Sequence, residues 1–572
     1  MTDMTFTVKP KALVQTEVAP AESRLLRDGT LFLDFGKAAF GTLIVPVAPD
    51  QESVTVCLGE KLGADGRIDR EPPGTIRFIR IEQSVGEGEA SCRIIIPSDP
   101  RNTGPVAIKM PSDIGEVYPF RYAEIKDPGD MDPSAVRQVC VHYPFDEAAS
   151  SFQSSDSVLN AVWELCKYSI KATTFCGVYV DGDRERIPYE GDAYINQLGH
   201  YAVDCEYALA RYTHEYLIQH PTWPTEWQLH SVMMAWADYM YTGETQSLET
   251  FYDDLCVKTL VGLAREDGLI STESELCTRK FEERLHLHYS PHVSGNGLKD
   301  LVDWPPGSFT EGGAGERDNH EMLPVNTVVN AFHYHALALM SRIADVLGRS
   351  GDRERFASQA AKVKSAINRL LYDEAQGVYV DGEGAKHASL HSNMTVLAFG
   401  LVPEERIPTV VSHVKSRGMA CSVYGAQYLL EALYLSGEDA CALGLMTAKS
   451  ERSWWNMMQI GSTITLEAWD WKYKSDLDWN HAWGAVPANI IPRFLMGVRP
   501  LEAGFAKVLI QPRPGGLETA RIKIPTIRGT IAVGFENHPE KPFVLEVDIP
   551  RDMTARIDIP ALGRPGSDVV VD

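Results

Sequence analysis

The hydrophobic pattern changes period twice along the chain, and those changes limit the fold more than any single motif does. Between about residues 30 and 145, short alternating or β-branched runs at 31–35, 42–47, 54–58, 75–81 and 92–96 are punctuated by Gly, Pro and Asp. That spacing predicts a β-sandwich, because strand side chains alternate faces and turns need residues that interrupt the ladder. After Phe145, Leu159, Val162, Trp163, Cys166 and Ile170 recur at helical spacing behind Ser154, Ser155 and Asp156 as capping candidates. Helical patterns follow at 229–242, 325–348, 353–372, 423–436 and 482–497. Three of them close on glycine and then an acid, at Gly243-Glu244, Gly351-Asp352 and Gly437-Glu438. A left-handed glycine ends one helix there and the acid opens the next. Recurrent helical hairpins of this kind predict a toroid. Strands return at 507–511, 520–524, 529–534 and 543–549. The division is an N-terminal β-sandwich over 1–148, a helical domain over 149–497 and a smaller C-terminal β-sandwich over 498–572, as a chain too long for one core requires.

Composition narrows the function. Apolar residues at 44% and charged residues at 23% are ordinary for a globular protein. A net charge of −24 repels nucleic acid and anionic membrane, so a neutral substrate fits better. The ten cysteines are scattered without a Cys-x-x-Cys pair and read as reduced core residues. Residues 1–20 lack an apolar run, and no window reaches the roughly eighteen apolar residues of a spanning helix, so a cytoplasmic location is expected.

Chemistry concentrates in two segments. Residues 181–192 read Asp-Gly-Asp-Arg-Glu-Arg-Ile-Pro-Tyr-Glu-Gly-Asp, with five carboxylates, two arginines and one aromatic ring. Crowded acids raise one another's pKa while interleaved arginines hold selected ones ionised, a combination that can separate acid from base. A solvated acidic turn has the same composition. The second segment holds six of the eleven tryptophans, between Trp454 and Trp483, around Glu467 and followed by Asn480-His481. Flat rings beside acids hold sugars by stacking and hydroxyl hydrogen bonds, although aromatic clusters also build cores. Two acidic loops on one toroid suit glycoside hydrolysis, which uses two carboxylates.

These segments resemble signatures of the α-L-rhamnosidases of glycoside hydrolase family 78. Asp181-Gly182 with Arg184-Glu185-Arg186, Tyr189 and Gly191-Asp192 is similar to that family's Asp-Gly, Arg-[Glu/Asp]-Arg, Trp, Gly-Asp loop. Asp303-Trp304 is similar to its Asp-Trp loop, Gly461 to Trp469 to its Gly-x-Thr-x-x-x-Glu-x-Trp loop, and Asn480-His481 to its Asn-His pair. The segment Arg121-Tyr122-Ala123-Glu124 resembles its Arg-Tyr-x-Glu strand. The resemblance implies an (α/α)6 barrel between two β-sandwich domains, and an exo-acting, inverting release of terminal α-linked L-rhamnose from glycosides or oligosaccharides. It implies Glu185 as general acid and Glu467 as general base. Asp181, Arg184, Asp192 and His481 would hold the sugar hydroxyls, and Tyr189, Trp304 and Trp469 would form walls, with Asp303 of the Asp-Trp loop in the substrate-binding set. Read from the residues themselves, Trp223 and Trp227, around Pro224-Thr225-Glu226, either line the mouth of the cleft or pack beneath it, and Trp227 is counted with the substrate-binding set.

The chain departs from the pattern at several places. Tyr189 stands for the usual Trp, Glu190 for a small or neutral residue, and Leu466 for a Trp before the base. Residues 307–316 are an insertion, and Asp183 is an alternative to Asp181 as the sugar-contacting acid. Sugar specificity therefore stays open between L-rhamnose and another sugar handled by the same barrel, and a carbohydrate-binding protein without catalysis is the third reading. His286, His288 and His292 lack the further ligands of a zinc site, and the glycines of 307–315 form no phosphate-binding motif. No metal or cofactor is expected. The expected partner is a rhamnose-containing glycoside, with neither nucleic acid nor membrane; the sequence does not set the oligomeric state, and a homodimer is one option.

Overall fold

The computed structural model describes residues 4–293, 297–307 and 315–559. Most of the 307–316 insertion, and the last residues of the expected C-terminal domain, lie outside them. The N-terminal strands form one eight-stranded sheet organised on the long strand Leu31–Pro46. Its register with Tyr118–Ile125 shifts between Asp34 and Ala39. A shift of this kind bends a strand. The half before the shift pairs with Glu22–Leu25, and the half after it with Arg137–His142 and Ser91–Arg93. The sheet thus folds over its own core of Leu33, Leu43, Val56, Phe120 and Ile125, which is the expected sandwich. The run predicted at 75–81 becomes strand only from Phe78, because Thr75 donates instead to the carbonyl of Leu477 at 2.7 Å.

Among the described residues twelve helices build the barrel: α1 Ser157–Ala172, α2 Glu190–Val203, α3 Ala208–Gln219, α4 Thr225–Thr242, α5 Tyr252–Lys258, α6 Thr327–Val346, α7 Ser350–Leu370, α8 Leu390–Ala398, α9 Ile407–Arg417, α10 Ala426–Leu435, α11 Asp439–Met446 and α12 Pro487–Ile490. The even-numbered helices touch in a closed ring, with α12 returning to α2, and the odd-numbered ones pack outside it. Sequence explains the sorting. Every residue of α2 is buried, as an inner helix requires, whereas α7 buries only Phe356, Ala360, Val363, Ala366 and Ile367 on one stripe. Asp156 caps α1 by accepting from Val158 and Leu159. Left-handed glycines follow α4 and α10 at Gly243 and Gly437, but after α6 the position belongs to Gly348, since Gly351 already lies inside α7. The pattern at 482–497 is broken by prolines: α12 starts on Pro487 and runs into a wider turn at Ile491–Leu495 around Pro492, which has no N–H to donate.

The C-terminal strands form a three-stranded and a four-stranded sheet. The fourth strand of the latter is Ser151–Ser154, from just before α1, with Phe152 opposite Ile522. Phe152, Ile522 and Phe535 share one core with Trp163 of α1. Among the described residues no helix is long and apolar enough to cross a membrane.

Candidate active site

Loop 181–187 is pinned at its base. Asp181 N donates to the Ile187 carbonyl, and Ile187 N to Asp181 Oδ1, both at 2.9 Å, across a turn in which Arg186 takes φ 57°. The chain then enters α2, whose N-terminus carries Glu190 and Asp192 where a helix dipole favours acids. Two glycines permit contacts that a side chain would block. A Cβ at Gly182 would lie 2.9 Å from the Asn480 carbonyl, and one at Gly191 would lie 2.7 Å from Trp227 Nε1. The Glu467 loop is tied to the barrel through Thr465 N to Ser169 Oγ at 2.8 Å, and Trp483 Nε1 reaches the Glu467 carbonyl at 2.9 Å.

The two loops meet in a pocket of about 210 Å³ lined by Asp181, Arg184, Glu185, Tyr189, Asp192, Trp223, Trp227, Leu301, Trp304, Glu467, His481 and Trp483. One guanidinium organises it. Arg184 places Nη1 at 2.8 Å and Nη2 at 3.3 Å from the Glu467 carboxylate, and Nε at 3.4 Å from Glu185 Oε1. The glutamates therefore sit on different sides of one planar group. Glu467 is 3% exposed; it also accepts from Asp478 N at 2.9 Å and faces Lys474 Nζ at 3.4 Å. Burial opposes its charge, but Arg184, His481 and Lys474 outweigh that cost and hold its carboxyl below the usual glutamate range. Glu185 is 37% exposed and accepts from the Tyr189 hydroxyl at 2.8 Å.

The other acids move the opposite way. Burial, reinforced by Glu185 and Asp478, pushes Asp181 well above the usual range, and its Oδ2 has no protein partner. Burial also raises Asp192 against the pull of His481, whose Nε2 lies 2.5 Å from Asp192 Oδ1. Asp478 is pushed up to about 6, chiefly by burial.

Among the sequence candidates, Asp181, Arg184, Glu185, Tyr189, Asp192, Trp227, Trp304, Glu467 and His481 line this pocket. Two do not. Trp469 is fully buried, edge-on to Trp454 at 4.9 Å, with Nε1 on the Cys421 carbonyl at 2.8 Å, so it supports the loop from behind. Asp303 is fully buried and saturated by His391 Nε2 at 2.7 Å and Ser422 N at 2.9 Å. Asp183 points away to Arg77 and Asn102, which leaves Asp181 as the pocket acid. Glu190 lies beneath the floor, bonded to Thr222. The sequence reading missed Trp483, which stacks on His481 at 4.8 Å, and Leu301; the cluster of tryptophans near Glu467 was the available signal for the former.

Glu467, Asp478 and His481 bring possible ligand atoms within 4.8 Å of one another. Arg184 and Lys474 already neutralise Glu467, so the donor set does not fit a divalent cation. His286, His288 and His292 diverge to Asp254, Glu282 and the Tyr216 hydroxyl.

Residues 147–495 match the family model described as the bacterial alpha-L-rhamnosidase 6 hairpin glycosidase domain, which is more than half of the chain. The chain belongs to the bacterial α-L-rhamnosidase family. Residues 497–570 match the C-terminal domain of bacterial alpha-L-rhamnosidases. An alpha-L-rhamnosidase of Formosa agariphila is 21% identical over 466 residues, covering 72% of this chain and 44% of that protein. One from Streptomyces avermitilis is 25% identical over 247 residues, covering 42% of this chain and 24% of that protein. This chain spans less than half the length of the curated relatives it matches. The solved alpha-L-rhamnosidase from Dictyoglumus thermophilum superposes with a TM-score of 0.76 at 19% identity, over 97% of this chain and 60% of that one. The shared rhamnosidase fold thus includes the N-terminal sheet, ahead of both matched family spans.

Proposed function

We propose that the chain is an exo-acting, inverting glycoside hydrolase that releases terminal α-linked L-rhamnose from glycosides or oligosaccharides. The observation that carries this reading is the single Arg184 guanidinium touching both glutamates from different sides. Such bridging keeps the carboxyl groups within roughly 9 Å, compatible with the ~6.5–9.5 Å that leaves room for a water in an inverting site. Glu467, held ionised, takes a proton from that water as it attacks the anomeric carbon. Glu185, at the more open side, gives its proton to the departing oxygen. Atoms balance: one water is consumed, and the sugar and the alcohol each leave with a hydroxyl.

The pocket supports an exo mode. Its volume of about 210 Å³ is below the roughly 300–1,000 Å³ typical of drug-sized ligands and suits one sugar ring. Trp223, Trp227 and Trp304 line it with apolar rings, and Asp181, pushed up by burial, brings to it an Oδ2 that no protein group engages. Hydrolysis of a panel of aryl glycosides, followed by proton NMR at early times, tests the reading. The expected result is selective cleavage of the α-L-rhamnoside with β-L-rhamnose appearing first. Cleavage of another glycoside instead, or initial release of the α anomer, overturns the sugar or the mechanism respectively.

A further inference from the structure

The catalytic loops are held by the N-terminal sheet domain as well as by the barrel, at residues outside both matched family spans. Asp183, the residue beside Arg184, is buried, and its carboxylate is gripped by Arg77 Nε and by Asn102 Nδ2 at 3.0 Å. Asn102 Nδ2 also reaches the Asp183 carbonyl at 2.7 Å. From the other loop, Asn480 Oδ1 accepts from Asp183 N at 3.0 Å, while its Nδ2 donates to Glu60 Oε1 at 2.8 Å. Glu60 Oε2 in turn accepts from Arg77 N at 2.9 Å. The circuit is closed. It runs from Arg77 to Asp183, on to Asn480 and Glu60, and back to Arg77, with all four side chains buried. Thr75 adds a bond to the Leu477 carbonyl at 2.7 Å.

Each member has its hydrogen-bonding role fixed by its neighbours. Asp183 N can only donate, so the Asn480 amide must present its oxygen there and its nitrogen to Glu60. Arg77 is anchored independently by Asp99 at 2.7 Å and lies over the Tyr118 ring at 5.5 Å, so it enters the circuit as a rigid post of the N-terminal domain. The consequence falls on Arg184. Its backbone N is held by Asp478 Oδ1 at 3.2 Å immediately after Asp183, and its guanidinium spans Glu185 and Glu467.

We propose that Arg77 and Asn102 are positioning residues for catalysis, acting through Asp183 to fix the turn that carries Arg184 and thereby the spacing of Glu185 and Glu467. This rests on the proposed function for its kinetic readout but not for its structural one. Neither residue lines the pocket, so substrate binding should be nearly untouched while alignment is lost; a misplacement of about 1 Å can cost on the order of 10²-fold in rate.

The test uses Asn102→Ala, which leaves the buried charges balanced, with Arg77→Gln and Arg77→Lys in the full chain. Expected for Asn102→Ala is a kcat on an unactivated α-L-rhamnoside reduced by about 10- to 100-fold with KM within about threefold, and Arg77→Lys recovering part of the loss of Arg77→Gln. In parallel, hydrogen–deuterium exchange of Asn102→Ala should quicken in both loops, 181–192 and 467–483, and stay unchanged in α4. Folded Asn102→Ala and Arg77→Lys proteins with wild-type kcat, or with faster exchange in the first loop alone, overturn the proposal. A wild-type protein inactive on every rhamnoside refutes the function, and the exchange measurement then decides the positioning claim by itself.

Discussion

Replacing Arg184 with Met takes from Glu467 two guanidinium hydrogen bonds, at 2.8 and 3.3 Å, and leaves Lys474 at 3.4 Å as the nearest lysine or arginine. An opposite charge this close is worth roughly one to three pH units on the titration of a carboxylate. Because Lys474 and His481 remain, the lower part of that range applies, about one to two pH units or roughly 1.4–2.7 kcal/mol at 1.36 kcal/mol per unit. The sign follows from the role. A general base works ionised, and Glu467 is held below its usual 4.5 mainly by Arg184 working against burial. Losing Arg184 makes protonation easier, so the acid limb of the kcat/KM profile moves to higher pH. Lys474→Met should move it less, since that ammonium is farther away and also engages Asp476 at 2.5 Å. Initial rates on an aryl α-L-rhamnoside across about pH 3–9 give both profiles. An acid limb that stays in place in a folded Arg184→Met enzyme refutes Glu467 as the titrating base, and attention would pass to Asp478, already pushed up to about 6.

Three further outcomes are expected. Glu185→Gln should slow natural glycosides by on the order of 10²–10⁴-fold but activated aryl glycosides much less, because a phenolate departs without protonation; equal losses on both remove Glu185 as the acid. Trp469→Ala should lower stability by about 3–5 kcal/mol, as expected for a buried ring, whereas Trp304→Ala should raise KM with melting temperature nearly unchanged, and the reverse pattern would restore Trp469 to the sugar wall. Burial pushes Glu60 up to about 8 from 4.5, so the folded state keeps a proton that the unfolded chain releases: its contribution is full below about pH 4.5 and is lost as pH rises through about 8. Glu60→Gln should therefore flatten the fall of melting temperature across that window, and an unchanged slope rules Glu60 out as its source.

How much of this was legible in the sequence depends on the range of the cause. Helix and strand periods are local, so the two period changes located the sheets and the barrel. Prolines 487 and 492 altered the last helix through a local effect that the hydrophobic count ignored. That residues 181–192 and the Glu467 loop deserve pairing was signalled by their unusual residue combinations, and the two loops meet in one pocket. Side-chain direction was not. Trp469 lies two residues from Glu467 yet turns to Trp454 and Cys421, whereas Trp483, sixteen residues on, returns to His481 and the pocket. Asp303 and Trp304 are adjacent and face opposite ways, one into the core and one into the pocket. Arg77 reaches Asp183 across a separation of 106 residues, and nothing in either segment's composition announces the other.

The crowding of acids in loop 181–192 has its physical resolution in where the cations were placed. Asp181, Asp192, Asp478 and Glu467 are all buried around one pocket, and such a site cannot ionise all of them, since each charge raises the cost of the next. Burial by itself raises all four. Arg184 and Lys474 both converge on Glu467, and it is this acid whose carboxyl is held below its usual range while burial raises the other three. Arg186 belongs to the same run of residues but is buried away from the pocket against Glu116, and Asp183 is satisfied by the N-terminal domain. A segment whose composition reads as five equivalent carboxylates therefore becomes functionally ordered by contacts to other parts of the chain. Asp181, raised by burial, keeps an Oδ2 without a protein partner at the pocket, whereas Arg184, His481 and Lys474 hold Glu467 below its usual range. The difference between Glu467 and the other three acids follows from the distribution of counter-ions rather than from any difference between the carboxyl groups themselves.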